Sequence, residues 1–266
     1  VYLIGILLCI LALFMLIPAL VDWLYGSNDW PAFLGSSLIT FLFGGIAYLT
    51  TKGSSTEHLE LRQAFLLTNS AWLSIALFGS LPFFFSEINM SFVDSIFEST
   101  SGITTTGATV ILNLENTSHG ILMWRALLQW LGGVGIIVMA LAILPMLSIG
   151  GMQLFKTESY ETPEKVVPKA ASFAAGISIV YLTLTIIWAF MLWGAGMPVF
   201  DSIAHAMTTI STGGYSTKSL SLAAFNSYSI EIIITFGMIV GSLPFVHYLS
   251  ITKNGWKNLI SDDQVK

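Results

Sequence analysis

The chain has 266 residues, of which 55% are hydrophobic and only 9% charged, with a formal net charge of −5 at pH 7. A soluble globular domain carries about 25% charged residues, so the composition excludes one, and the lack of basic patches gives nucleic acid no footing. A single cysteine, Cys9, sits in an apolar run and reads as a small apolar helix residue, which excludes a disulfide framework and a thiolate metal cluster.

In chain order, the opening "VYLIGILLCILALF" has no Met and no basic n-region, and it reads as the trimmed start of a membrane helix rather than a signal peptide. A bilayer core about 30 Å thick takes about 20 apolar residues of helix. Six stretches free of Lys, Arg, Asp and Glu meet that need: 1–21, 31–51, 63–86, 126–155, 170–200 and 232–252. Pro18, Pro82, Pro145 and Pro244 are expected to kink or end these spans. If the N-terminus starts inside, the inner loops hold Lys52, Arg62, Lys156, Lys165, Lys169, Lys253, Lys257 and Lys266, and the outer loops only Arg125 and Lys218. That asymmetry predicts that both ends of the chain are cytoplasmic.

Two outer loops stand out, 87–120 and 194–230. Long loops in compact proteins are usually functional. Shifted by 107 residues, "FVDSIFESTSGITTTGAT" lies on "VFDSIAHAMTTISTGGYS" without a gap. Asp94, Ser95, Ile96, Ile103, Thr105 and Gly107 then match Asp201, Ser202, Ile203, Ile210, Thr212 and Gly214. The flanking spans correspond as well, so the chain reads as an internal duplication. The expected fold is all-α and integral to the membrane, with six membrane helices plus two short re-entrant helices. Its organisation is an N-terminal helix pair (1–58) and two pseudo-symmetric copies of helix–re-entrant loop–helix (59–155 and 156–266).

The short helices are expected over 92–102 and 199–209. Asp94 and Asp201 near their starts read as caps in preference to ion ligands. Irregular backbone at membrane depth is tolerated only where protein buries it or where it lines a cavity. Residues 104–109 and 211–216 are such backbone. Glycine lets carbonyls turn toward an axis, and threonine adds oxygen without net charge. Rings of such oxygens replace the water shell of a cation. A divalent site would show carboxylates, and neither segment has one, so the pattern suits a monovalent ion. The competing readings, an exposed Ser/Thr/Gly loop or small-residue helix packing, fit the in-register T-x-G less well.

Other residues carry plainer readings. Arg125 beside Trp124 reads as an interfacial anchor in preference to a role at a pore mouth, and Lys218 as a surface lysine. His205 takes the slot of Glu98 in the aligned short helices, and both are expected to pack behind the loops. His247 reads as a hydrogen-bonded core histidine. "GGVG" at 132–135 reads as close helix packing rather than a nucleotide loop. The connector "KTESYETPEKVVPK" (156–169) reads as solvated.

"ITTTGATV" and "ISTGGYST", each after a short helix, together with the M1–pore loop–M2 repeats, resemble the Trk/Ktr/HKT superfamily of potassium transporters, in its TrkH-like bacterial branch with an extra N-terminal helix pair. The resemblance implies an ion-channel-like fold of four M1–P–M2 repeats in one polypeptide, of which this chain carries two. It implies selectivity-filter residues Thr105, Thr106, Gly107 and Ala108 in the first repeat and Thr212, Gly213, Gly214 and Tyr215 in the second. Potassium would be held at Thr105, Thr106, Thr212 and Gly213. Around the central glycine each segment departs from the TVGYG loop of tetrameric potassium channels. The resemblance further implies potassium uptake across a bacterial inner membrane, no organic cofactor, a homodimer in lipid, and contact of the 156–169 connector with a TrkA-like nucleotide-binding regulatory subunit. An alternating-access, ion-coupled secondary transporter is the competing class; it calls for charged or aromatic contacts in the broken helices, and these loops hold almost none. An intramembrane enzyme finds no H-E-x-x-H, no G-x-S-x-G and no acid–base pair in a span.

Overall fold

Two helices close a tight hairpin at the start of the chain: α1 (Tyr2–Tyr25) and α2 (Trp30–Thr51). The structure is a computed structural model that describes residues 1–52, 61–147, 166–245 and 248. The hairpin is close because Gly5 and Gly44 face each other, each where a Cβ would overlap the other's carbonyl oxygen. Lipid tails offer no hydrophobic drive for helix association, so such close packing and interhelical hydrogen bonds carry it. Ser37 Oγ supplies one such bond, donating to Ala12 O at 2.7 Å. Leu13, Leu20, Leu38, Phe43 and Leu49 face outward, as a lipid-facing wall requires.

α3 (Leu61–Gly79) breaks at Ser80 and resumes as the single-turn α4 (Leu81–Phe85). Pro82, in that first turn, has no N–H to continue the ladder. Next comes α5 (Phe92–Ile103), within one residue of the expected short helix. Its N-cap is Ser91, not Asp94. Asp94 N–H donates to Ser91 Oγ at 3.1 Å, and Ser91 Oγ donates back to the Asp94 carboxylate at 2.7 Å. α6 (His119–Leu147) follows, and residues 121–129 are buried on every side. A segment buried all round lies at the centre of its bundle, and α1, α3, α5 and the second short helix pack against α6.

α7 (Val166–Gly194) leads into the second short helix, α8 (Val199–Ile210), and then α9 (Tyr228–Ser242). α8 starts at Pro198 without a side-chain cap. The capping role expected of Asp201 is therefore corrected: its buried carboxylate accepts from Thr217 Oγ1 at 2.6 Å instead. Glycines set the α6 and α9 crossings. Gly132 lies against the Ile103 carbonyl at the end of α5, and Gly241 against the Ile210 carbonyl at the end of α8. The small partner changes sides between the copies: Gly102 of α5 meets Leu128 of α6, whereas Thr209 of α8 meets Gly237 of α9.

Among the described residues four helical segments are long and apolar enough to cross a membrane: Tyr2–Tyr25, Trp30–Thr51, Arg62–Phe85 and Ala174–Gly194. The chain is a multi-pass membrane protein with an all-helical fold. Two expected boundaries move. The span expected from 126 begins at His119, because Arg125 is buried inside the helix rather than ending it. Within the span expected over 232–252 the helix is interrupted after Ser242, just before Pro244. His247 and residues 156–165 of the connector lie outside the described residues.

Asp22 is a residue the apolar runs conceal. It is fully buried in the last turn of α1, where a carboxylate opposes the helix dipole. Its compensation is the N-terminus of α6: Gly120 N–H donates to Asp22 Oδ1. Next to it the Tyr25 ring stacks on His119, with centroids 4.0 Å apart, and Phe200 of α8 meets His119 edge-on. Asp22→Leu leaves the Gly120 N–H at the start of α6 without its partner, an expected loss of about 1–3 kcal/mol. A fall in the thermal unfolding midpoint of detergent-solubilised protein checks this.

Candidate ion-coordination site

The two loop strands, 104–109 and 211–216, leave the C-terminal ends of α5 and α8 with the same backbone. Thr105 N–H donates to Gly102 O and Thr106 N–H to Ser101 O; Thr212 N–H donates to Thr209 O and Gly213 N–H to Thr208 O, in register at the 107-residue offset. Left-handed φ angles recur at matched positions: +57° at Thr105 and +53° at Thr212, then +80° at Gly107 and +78° at Gly214. A β-branched residue at positive φ is an outlier. Two at equivalent positions mark backbone strained for a purpose rather than by accident. Left-handed residues two apart, with a residue of negative φ between them, keep turning carbonyls out of the alternation of a plain strand.

The strands are neighbours. A Cβ built on Gly107 would strike the carbonyl oxygen of Gly213. Among the described residues no N–H or O–H donates to the carbonyls of Thr105, Thr106, Gly107, Thr212 or Gly214. Three of the eight expected residues differ. Ala108 O accepts from Ser101 Oγ at 2.6 Å and from Tyr215 OH at 3.1 Å. Gly213 O accepts from Gln129 Nε2 at 2.9 Å. Tyr215 is buried, with its ring in the wall rather than on an open face.

The short helices hold each strand from behind through one shared slot. Glu98 accepts from Thr109 Oγ1 at 2.9 Å and from Val110 N–H at 3.0 Å. His205, in the matching slot, pairs its Nε2 with Ser216 Oγ at 3.0 Å, and Ser216 matches Thr109 at the same offset. Both therefore sit behind the strands, as the alignment predicts. No group of three or more His, Cys, Asp or Glu side chains suited to a metal occurs among the described residues.

Two α6 side chains missing from the expected site complete it. Gln129 is fully buried; besides bonding Gly213 O, its Oε1 accepts from Tyr215 N–H at 3.0 Å. Arg125, 1% exposed, is no interfacial anchor. Its Nε donates to Glu98 at 2.8 Å, its Nη1 donates to Ser216 O at 2.9 Å, and its guanidinium lies 4.1 Å from the centre of the Tyr215 ring. A paired charge can stay inside a span, whereas an unpaired one belongs at an interface. Further out, Ser219 N–H and Oγ donate to the Glu115 carboxylate and join the two outer loops. These bonds hold the exposed Glu115 carboxyl below the usual carboxylate range.

Comparison with known proteins follows the same outline. Residues 30–264 match the TrkH family model, described as a cation transport protein. The potassium uptake protein TrkI of Halomonas elongata is 36% identical over 263 residues, covering 98% of this chain and 53% of that protein. The potassium uptake protein TrkH of Salmonella typhimurium is 38% identical over 251 residues, covering 93% of this chain and 52% of that protein. The crystal structure of the potassium transporter TrkH from Vibrio parahaemolyticus superposes with a TM-score of 0.89 at 35% identity, covering 99% of this chain and 54% of that one. The chain spans about half the length of these relatives, which are transport proteins and not enzymes.

Proposed function

We propose, from the premise that this chain belongs to the TrkH family of cation transport proteins, that it forms half of a potassium-selective pore and supports potassium uptake. The observation that carries the reading is the in-register pair of strained strands, lying side by side, with carbonyls at Thr105, Thr106, Gly107, Thr212 and Gly214 that meet no donor among the described residues. Ion coordination is assigned to these oxygens, with Ala108, Gly213 and Tyr215 supporting them through the bonds already described. The buried carboxylates of the two short helices, Glu98 and Asp201, are occupied by protein donors. Coordination therefore rests on neutral oxygens, which suits a dehydrated monovalent ion. The C-terminal ends of α5 and α8 add partial negative charge.

The division into a helix pair (1–58) and two repeats (59–155 and 156–266) belongs to the same proposal. Its support is local: Gly107 abuts the strand of the next copy, whereas the matching space beside Gly214 is open. A following repeat would place its own strand there. An inner-membrane location, cytoplasmic chain ends, a homodimer and contact with a TrkA-like regulatory subunit complete the proposal.

The complete polypeptide containing this chain, reconstituted in vesicles, is expected to take up rubidium. Potassium should compete far better than sodium. Equal competition by sodium would remove potassium selectivity from the proposal, and uptake of neither ion would remove the pore.

A further inference from the structure

We propose that Arg125 is a positioning residue that locks the first and second strands to each other, and that its pairing with Glu98 sets the preference for potassium over sodium. This rests on the pore reading above and goes beyond it by naming what fixes the width of the oxygen ring.

The two copies differ in one informative way. The slot behind the second strand is filled by His205, whose ring bonds Asp201 O of its own helix and Ser216 Oγ of its own strand. The slot behind the first holds Glu98, which binds its own strand and also Arg125. Arg125 then crosses to the second copy by bonding Ser216 O and stacking on Tyr215. Tyr215 closes the loop, its single O–H shared between Glu98 O and Ala108 O, each at 3.1 Å. The carboxylate in place of histidine is what turns a strand support into a link between strands.

Charge and burial argue against a role in stability alone. The pair is 2% and 0% exposed. Desolvation makes such a buried pair no better for stability than a well-packed apolar one, and it is best justified by the geometry it imposes. Neutrality matters too: an unpaired arginine behind a cation path would repel the ion, and an unpaired glutamate would trap it. Arginine is required because its planar fork supplies divergent N–H donors and a face that stacks. A lysine at this position matches the charge but cannot hold Glu98 and Ser216 O while covering the Tyr215 ring.

The test uses the complete polypeptide, with folded yield and the rubidium-over-sodium preference read separately. Arg125→Lys is expected to fold and to lower the preference about tenfold. Glu98→Gln is expected to lower it in the same direction, because its amide turns a donor toward either the Arg125 Nε–H or the Val110 N–H. Arg125→Leu, which leaves a buried carboxylate alone, is expected to lose folded protein. A purely structural role would change yield and leave the preference of the folded fraction untouched. If Arg125→Lys folds with native preference, the proposal is overturned; if it does not fold, a native preference in Glu98→Gln overturns it. Gly107→Ala run in parallel separates the two layers. Should it also leave the preference native, the pore reading itself has failed; should it alone destroy the preference, only the role of Arg125 has.

Discussion

Gly107→Ala in the complete polypeptide is expected to cut potassium uptake at least tenfold, measured as uptake in cells that depend on it. The residue has φ +80°, and a Cβ there would strike the Gly213 carbonyl of the neighbouring strand. Left-handed backbone costs a non-glycine residue about 1–2 kcal/mol. The collision adds to this and pushes the second strand at Gly213, between the Thr212 and Gly214 carbonyls assigned to the ion. Gly214→Ala tests the ring itself. Beside Gly214 the described chain has open space, and its φ is +78°. If a following strand fills that space, Gly214→Ala is as severe as Gly107→Ala. If it is milder, only the backbone term acts and no third strand lies there.

Gln129→Leu carries the second large effect. The fully buried amide gives one hydrogen bond to Gly213 O and takes one from Tyr215 N–H. Leucine keeps the volume but leaves a buried carbonyl and a buried N–H unpaired, each costing about 1–3 kcal/mol. The second strand is expected to relax toward other donors, with uptake down at least tenfold and weaker discrimination against sodium. Gln129→Glu keeps the acceptor for Tyr215 N–H but sets an unpaired buried carboxylate oxygen against the Gly213 carbonyl, so it should be at least as severe as Gln129→Leu. The uptake rate and the rubidium-over-sodium ratio of the three proteins check the order.

Much of this site is legible in the chain because it is written twice. The 107-residue offset pairs Thr105 with Thr212, Gly107 with Gly214 and Glu98 with His205, and the backbone bonds keep that register. What is written once is harder to read. Arg125, Gln129 and Asp22 sit in apolar stretches without a matching partner in the other copy, and their meaning lies in contacts across the fold: Arg125 with Ser216, Gln129 with Tyr215, Asp22 with Gly120. Drawing spans as charge-free runs assumes that charges end helices. Asp22 and Arg125 break that assumption because each has a partner. Two signals do point to them. An acidic residue in the last turn of an apolar helix opposes the dipole and so asks for an outside donor. A glutamine amid apolar residues needs buried partners for its amide.

The shape of the strands explains why the expected residue set is refined. T-x-G marks where the backbone turns left-handed, but not which carbonyls the neighbouring side chains claim. Ser101 and Tyr215 claim Ala108 O, and Gln129 claims Gly213 O. Those donors come from α5, from the other strand and from α6, at separations that periodicity cannot reveal.

The central claim is that a dehydrated monovalent cation rests on the carbonyls of the two strands. Anomalous diffraction from crystals of the complete polypeptide soaked in rubidium or thallium salt tests it most directly. The expected result is an anomalous peak within coordination distance of the Thr105, Thr106, Thr212 and Gly214 carbonyls, weakened by added potassium and not by sodium. Bound ions elsewhere, with none between these strands, would contradict the account.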